Sequence, residues 1–362
     1  MVRSIYKGLS SILCTFLLVA SAGCHRQSSE AKGSKFPELD TTGPIALSDD
    51  GQYIATVSSG SYPPNDGSSI VEIRNAQTTY PTGTMIRTSP VVRHVEFVSK
   101  EFGFLLARSP VIQQSDESSD RPISSLEQLA LDGARKIIVD RIDDEIASMS
   151  VSSDHQLVAI CTKPRAYAKE NSQCYVFSIP NGREVSRFSS ENAKRFMGVF
   201  VGMSRNIFLA SDNSGGGPFG YLVDSGSGMV LQECFIERRG NFATEVVVAC
   251  HATNDVFVST IHGICRVDAR LGVLTVEVIY DSIHSGSPLL SAMWIAVDPK
   301  GTFLAFGERE DGEYKSEGTQ VIEISTGRHL KPILEMAGPM EFSPDGSWLY
   351  FARQRVQVQK LR

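Results

Sequence analysis

Met340 to Arg353 reads M-E-F-S-P-D-G-S-W-L-Y-F-A-R, and its centre, Ser343-Pro344-Asp345-Gly346, has the chemistry of a tight turn. Proline pre-sets one backbone angle and glycine accepts a positive φ. Apolar residues precede the turn at Met340 and Phe342 and follow it from Trp348, so the stretch is a β-hairpin.

The same arrangement, a turn followed by an apolar run, recurs at Asp50-Gly51, Lys100-Glu101, Asp154-His155, Ser204-Arg205, Thr253-Asn254 and Lys300-Gly301. Counted from the second residue of each turn, the copies fall at 51, 101, 155, 205, 254, 301 and 346, spaced by 50, 54, 50, 49, 47 and 45 residues. That period is the length of one four-stranded propeller blade. A second set of turns interleaves with the first: V-E-I-R-N-A-Q-T, A-L-D-G-A-R, F-S-I-P-N-G-R-E, L-V-D-S-G-S-G, R-V-D-A-R-L-G and I-E-I-S-T-G-R. These read as the outer hairpins.

Seven inner hairpins stand against six outer ones, and the chain ends one strand after the seventh. The last blade therefore has three strands of its own, around Met340, Trp348 and Val356, and is expected to borrow its fourth from Lys35 to Leu39. The second strands are apolar at consecutive positions, as in sheets buried on both faces. Alanine recurs inside them at Ala55, Ala107, Ala159, Ala210, Ala305 and Ala352, where a small side chain lets neighbouring sheets approach. Ser125 to Leu131 has some helical character, but the following Asp132-Gly133 and K-I-I-V favour a hairpin. The expected fold is an all-β, seven-bladed propeller spanning residues 34–362.

With S-P-D-G and W-L-Y-F-A in hand, the chain resembles bacterial WD-repeat-like, TolB-type and YVTN-type β-propellers. The resemblance implies the fold over residues 34–362 and no particular activity. The Trp-Asp and Gly-His pairs that mark eukaryotic WD repeats are missing, since Trp294 and Trp348 are followed by isoleucine and leucine.

The N-terminus is organised for export. Arg3 and Lys7 precede an apolar core from Ile12 to Ala20, which is too short to span a bilayer as a helix. Ser21-Ala22-Gly23-Cys24 resembles the bacterial lipoprotein signal, which implies cleavage after residue 23, lipid on Cys24 and attachment to a membrane through that lipid. Ala20-Ser21-Ala22 also fits an ordinary A-x-A site that would release a soluble secreted or periplasmic protein. Residues 24–33 are small and polar, as in a tether. Loss of the signal removes two basic residues and leaves a net charge of −8. That sign argues against nucleic acid or anionic lipid as the main ligand.

Cys161 and Cys174 sit symmetrically about the loop 164–171, opposite each other across a hairpin, as a possible disulfide or as two buried thiols. No H-E-x-x-H, G-x-S-x-G or phosphate-loop motif is present. The glycine-rich run Ser214–Gly220 lies between strands and reads as a hairpin connection. His251, Asp255 and His262 match no metal-ligand spacing, so no metal or cofactor is expected.

The loops joining the second and third strands of each blade emerge at one end of the ring, and four carry an aromatic: Tyr62, Tyr167, Phe219 and Tyr314. These are the expected anchors for a protein partner. The expected function is a protein-binding scaffold at the cell envelope, and the chain is read as a binding protein before an enzyme. The alternative is an enzyme, a lactonase-like hydrolase or quinoprotein-like dehydrogenase, with carboxylates and a histidine converging on the central channel.

Overall fold

The computed structural model describes residues 43–59, 68–78, 80–109, 123–163, 171–191, 193–213, 217–236, 244–250, 252–260, 263–281, 292–308, 318–333, 338–351 and 355–361. Within them seven antiparallel sheets follow one another along the chain. Blade 1 is β1 (Ile45–Leu47), β2 (Tyr53–Ser59), β3 (Ser69–Asn75) and β4 (Pro81–Thr88). Blade 2 is β5 (Val91–Ser99), β6 (Gly103–Ser109), β7 (Ile123–Leu129) and β8 (Arg135–Asp143). Blade 3 is β9 (Glu145–Val151), β10 (Leu157–Lys163), β11 (Gln173–Ser178) and β12 (Glu184–Ser189). Blade 4 is β13 (Ala193–Phe200), β14 (Asn206–Asn213), β15 (Gly217–Asp224) and β16 (Val230–Phe235). Blade 5 is β17 (Thr244–Ala249), β18 (Asp255–Thr260), β19 (Gly263–Arg270) and β20 (Val273–Asp281). Blade 6 is β21 (Ala292–Val297), β22 (Phe303–Glu308), β23 (Thr319–Glu323) and β24 (Arg328–His329). Blade 7 is β25 (Met340–Phe342), β26 (Trp348–Phe351) and β27 (Arg355–Gln357), followed by a short 3-10 turn at Val358–Leu361.

All seven inner turns expected from the repeat join a first strand to a second, and Ser125–Leu129 is strand. The first strands touch in the order β1, β5, β9, β13, β17, β21, β25 and back to β1, which closes the ring. The expected fourth strand of blade 7, Lys35–Leu39, lies outside the described residues. So do the signal segment, the tether, Cys24, Tyr62, Tyr167, Tyr314, His251 and His262.

The core is divided as the strand patterns require. Second strands such as β18 are buried at every position, whereas the outermost β12 and β16 are largely exposed. Seven apolar clusters form, one at each blade-to-blade interface. Five of the recurrent alanines, Ala55, Ala107, Ala159, Ala210 and Ala305, are at most 1% exposed. Larger side chains there would push adjacent sheets apart.

Candidate binding site in the central channel

The inner turns of blades 1, 3 and 7 share one construction at the mouth of the channel. Ser343 Oγ accepts the Trp348 N–H at 2.9 Å and donates to Asp345 Oδ1 at 2.5 Å, while Gly346 takes φ 72°. Ser48 repeats it with Tyr53 N–H and Asp50, and Ser152 with Leu157 N–H and Asp154. In blade 6 an aspartate replaces the serine, and Asp298 Oδ1 accepts the Thr302 and Phe303 N–H groups at 2.5 and 2.6 Å. Hydrogen bonds from Ser343 and Ser347 hold the Asp345 carboxyl down at about 2. Burial raises Asp50, but bonds from Lys100, Ser48 and the Gln52 N–H outweigh it and leave that carboxyl also near 2.

Ion pairs stitch these turns together. Lys100 Nζ lies 2.7 Å from Asp50, joining blades 2 and 1, and Arg205 lies 2.7 Å from Asp154, joining blades 4 and 3. His155 Nε2 reaches Asp49 at 3.5 Å, from blade 3 to blade 1. His155 sits at φ 57°, where the turns of blades 1, 6 and 7 have Gly51, Gly301 and Gly346. A non-glycine residue in that conformation is strained, and strain of this kind concentrates at functional sites.

Inside this mouth the first strands enclose a cavity of 620 Å³. Ile45, Met149, Val199, Val247 and Ile295 form apolar walls, while blade 2 presents Glu96 and blade 7 presents Glu341 beside Met340. Burial pushes the Glu96 carboxyl up to about 8. Glu341 is raised well above the usual range, first by burial and then by the neighbouring charge of Glu96, against the opposing bond from the Leu47 N–H. Two carboxyls that repel in a low-dielectric space cannot both ionise without a counter-charge. On the same strand as Glu96, burial and Arg93 lower His94 to about 4, against bonds to the Ile146 and Ala147 backbone of blade 3.

The polar lining thus divides into groups with structural duties and groups without them. Ser48, Ser152 and Asp298 hold turns, and Asp49 faces His155. Glu341 accepts the Leu47 N–H as well as facing the cavity, whereas the Glu96 carboxyl faces the cavity and accepts no hydrogen bond from a described residue. Among the described residues no group of three or more histidine, cysteine, aspartate or glutamate side chains is arranged to hold a metal ion.

Those residues singled out by sequence that are described fall elsewhere. Phe219 belongs to β15 and not to a loop, because the β14–β15 hairpin is tight and pairs Asn213 with Gly217. Its partly buried ring packs on Phe235 and Tyr221 at 4.8 and 5.0 Å between centroids. Cys161 and Cys174 do face each other across β10 and β11, as two buried free thiols joined by a hydrogen bond. Asp255 pairs with Arg266 at 2.9 Å.

Glu96 and Glu341 were not among the expected site residues, although a signal was present. The chain reads E-F-V-S at Glu96–Ser99 and E-F-S at Glu341–Ser343, each directly before an inner turn. A register shift between Phe97 and Ser99 absorbs the extra valine. Both glutamates therefore stand at the same level of the ring, on either side of blade 1.

No family model and no curated relative matches the sequence. Among solved structures, the chain is similar to Kuenenia stuttgartiensis hydrazine synthase, with TM-score 0.63 and 15% identity over 90% of this chain and 98% of that one. It is also similar to the Cps50 (Swd1) β-propeller domain of Myceliophteria thermophila, with TM-score 0.58 and 11% identity over 90% and 95%. A third is Chaetomium thermophilum Sqt1 bound to the N-terminus of ribosomal protein L10, with TM-score 0.54 and 12% identity over 87% and 95%. At such identities the shared property is the β-propeller fold.

Proposed function

We propose that this chain is an exported, lipid-anchored propeller of the TolB- and YVTN-like bacterial kind. In this reading it acts as a protein-binding scaffold at the cell envelope and receives its partner at the channel mouth. The observation that carries the reading is the 620 Å³ cavity, in which apolar walls and two carboxyls meet while Ser48, Ser150 and Ser152 are committed to backbone N–H groups. A rigid ring with a preformed cavity of mixed apolar and polar lining is suited to recognition. The solved structure of Sqt1 with the L10 N-terminus is one case of a propeller holding a segment of another protein. The anchor rests on the S-A-G-C sequence ending at Cys24.

A photo-crosslinking residue at Asp49, whose side chain is 65% exposed at the mouth, tests the site. It should trap an envelope protein that the same residue at Tyr80, which is 73% exposed on the outer strand β4 side, does not. Equal or absent trapping at Asp49 would remove the mouth from consideration. Capture should survive simultaneous alanine replacement of Tyr62, Tyr167, Phe219 and Tyr314, and its loss would move the interface to the loops between second and third strands. Metabolic labelling with palmitate should mark the wild-type chain and not Cys24→Ala.

One observation favours an enzyme as the second reading. A carboxyl that stays protonated near neutral pH beside a second carboxyl is the pairing that acid–base hydrolysis uses. A lactonase-like activity in the channel would be abolished by Glu96→Gln, and a turnover unaffected by that change would exclude it.

A further inference from the structure

We infer that the channel cavity binds a primary ammonium group carried on an apolar stem, seated between Glu96 and Glu341. The inference rests on the channel being the binding site and specifies what enters it. Among the described residues lining the cavity, Asp49, Glu96, Asp298 and Glu341 face a single histidine and no lysine or arginine. His155 answers Asp49, and three backbone N–H groups answer Asp298. Glu341 receives one bond, from the Leu47 N–H at 2.7 Å. The Glu96 carboxyl accepts no hydrogen bond from any described residue, although it projects from a strand into the cavity.

The chemistry of the walls decides what kind of cation fits. An inorganic ion could use the carboxyls but gains nothing from Ile45, Val199, Val247 and Ile295, which offer it no ligand. An alkylammonium ion has an apolar stem for those walls and three donors for the two carboxyls. Its charge also removes the obstacle to ionising both glutamates. The volume lies within the range of small-molecule sites and admits a stem of several carbons. Two sources supply this group, a free amine or the lysine side chain of a polypeptide.

The test is calorimetric titration of the full-length protein with n-pentylamine, with n-pentanol, and with the tripeptide acetyl-Gly-Lys-Gly-amide. Pentylamine should bind and pentanol should not. Glu96→Gln and Glu341→Gln should each weaken pentylamine at least about tenfold. Because these variants keep the shape of the side chain and remove only its ability to ionise, an independent readout on the wild-type protein accompanies them. Binding should release protons, so the measured heat should change with the ionisation enthalpy of the buffer. Tighter binding of the tripeptide than of pentylamine would identify a polypeptide as the source, and the reverse order a free amine. Equal binding of pentanol, no binding of pentylamine, or no proton release would overturn the assignment. These titrations involve no envelope partner, so their failure and the failure of crosslinking at Asp49 are separate results.

Discussion

Glu341, on the first strand of the last blade, accepts a hydrogen bond at 2.7 Å from the backbone N–H of Leu47, on the first strand of the first blade, 294 positions earlier. The same device recurs between blades 3 and 4, where Ser150 and Ser148 hydroxyls accept the Phe200 and Gly198 N–H groups at 3.1 and 2.9 Å. A polar side chain on one inner strand thus secures the free backbone edge of the next. At the seam between blades 7 and 1 this bond supplements the smallest of the interface clusters, whose buried members are Leu47, Ile54, Ala76 and Tyr350. Glu341→Gln retains an acceptor for the Leu47 N–H and should keep most of the stability. Glu341→Ala leaves that donor unsatisfied and should cost about 1–3 kcal/mol. Equal denaturation midpoints for the two variants would show that the bond does not hold the seam.

The Glu96 carboxyl makes the fold sensitive to pH in a defined direction. Its folded value of about 8 lies above its ordinary value of 4.5, so between these limits the folded chain holds a proton that the unfolded chain has lost. The contribution is fully present below pH 4.5 and is lost as the pH rises toward 8. Raising the pH across this window should lower the melting temperature, by an amount corresponding to a few kcal/mol. In Glu96→Gln that portion of the pH dependence should vanish. A wild-type protein whose stability rises from pH 5 to 8 and is unchanged in slope by Glu96→Gln would contradict the buried carboxyl.

Cys161 and Cys174 are directly paired in register on β10 and β11. Cross-strand neighbours have Cα atoms about 4.5–5.5 Å apart, within the span of a disulfide. The hydrogen bond from Cys161 and burial raise the Cys174 thiol well above the ordinary range, which makes it a slow nucleophile in the folded chain. Protein recovered from an oxidising compartment should therefore carry this bridge, formed before or during folding. Unfolded without reductant, it should show only the thiols of Cys234, Cys250 and Cys265 to an alkylating reagent. Alkylation of Cys161 and Cys174 under those conditions would show that they remain reduced.

The architecture was legible because several inner turns leave a chemical mark at a regular spacing. Serine to hold the backbone, aspartate to hold the serine and glycine for positive φ recur at Ser48-Asp50-Gly51 and Ser343-Asp345-Gly346. Even where the mark is altered, at His155 and Asn254, the chain still takes φ 57° and 59°. The channel was less legible for a physical reason. A glutamate inside an apolar strand reads as one outward position of an alternating pattern, and period two cannot distinguish an outward face in solvent from one lining a closed ring. The sequence reading assigns Phe219 to the connection between second and third strands, whereas pairing resumes at Gly217 and places it within β15.

The seam between the last and first blades also sets the consequence of shortening the chain. Residues 340–362 supply Met340, Phe342, Leu349, Phe351, Val358 and Leu361 to the cluster shared with blade 6, and Tyr350 to the cluster shared with blade 1. The Lys331 N–H also donates to the Leu361 carbonyl at 2.8 Å, fastening the end of the chain to blade 6. Burying each such side chain contributes about 1.5–3 kcal/mol, so the segment accounts for roughly 10–20 kcal/mol. Whole domains have only about 5–15 kcal/mol of net stability. Deleting residues 340–362 should therefore open the ring and abolish cooperative unfolding of the entire propeller, with hydrogen exchange accelerating as far away as β10 and β18. A truncated chain that melts cooperatively at the wild-type temperature would show that the six remaining blades stand without closure.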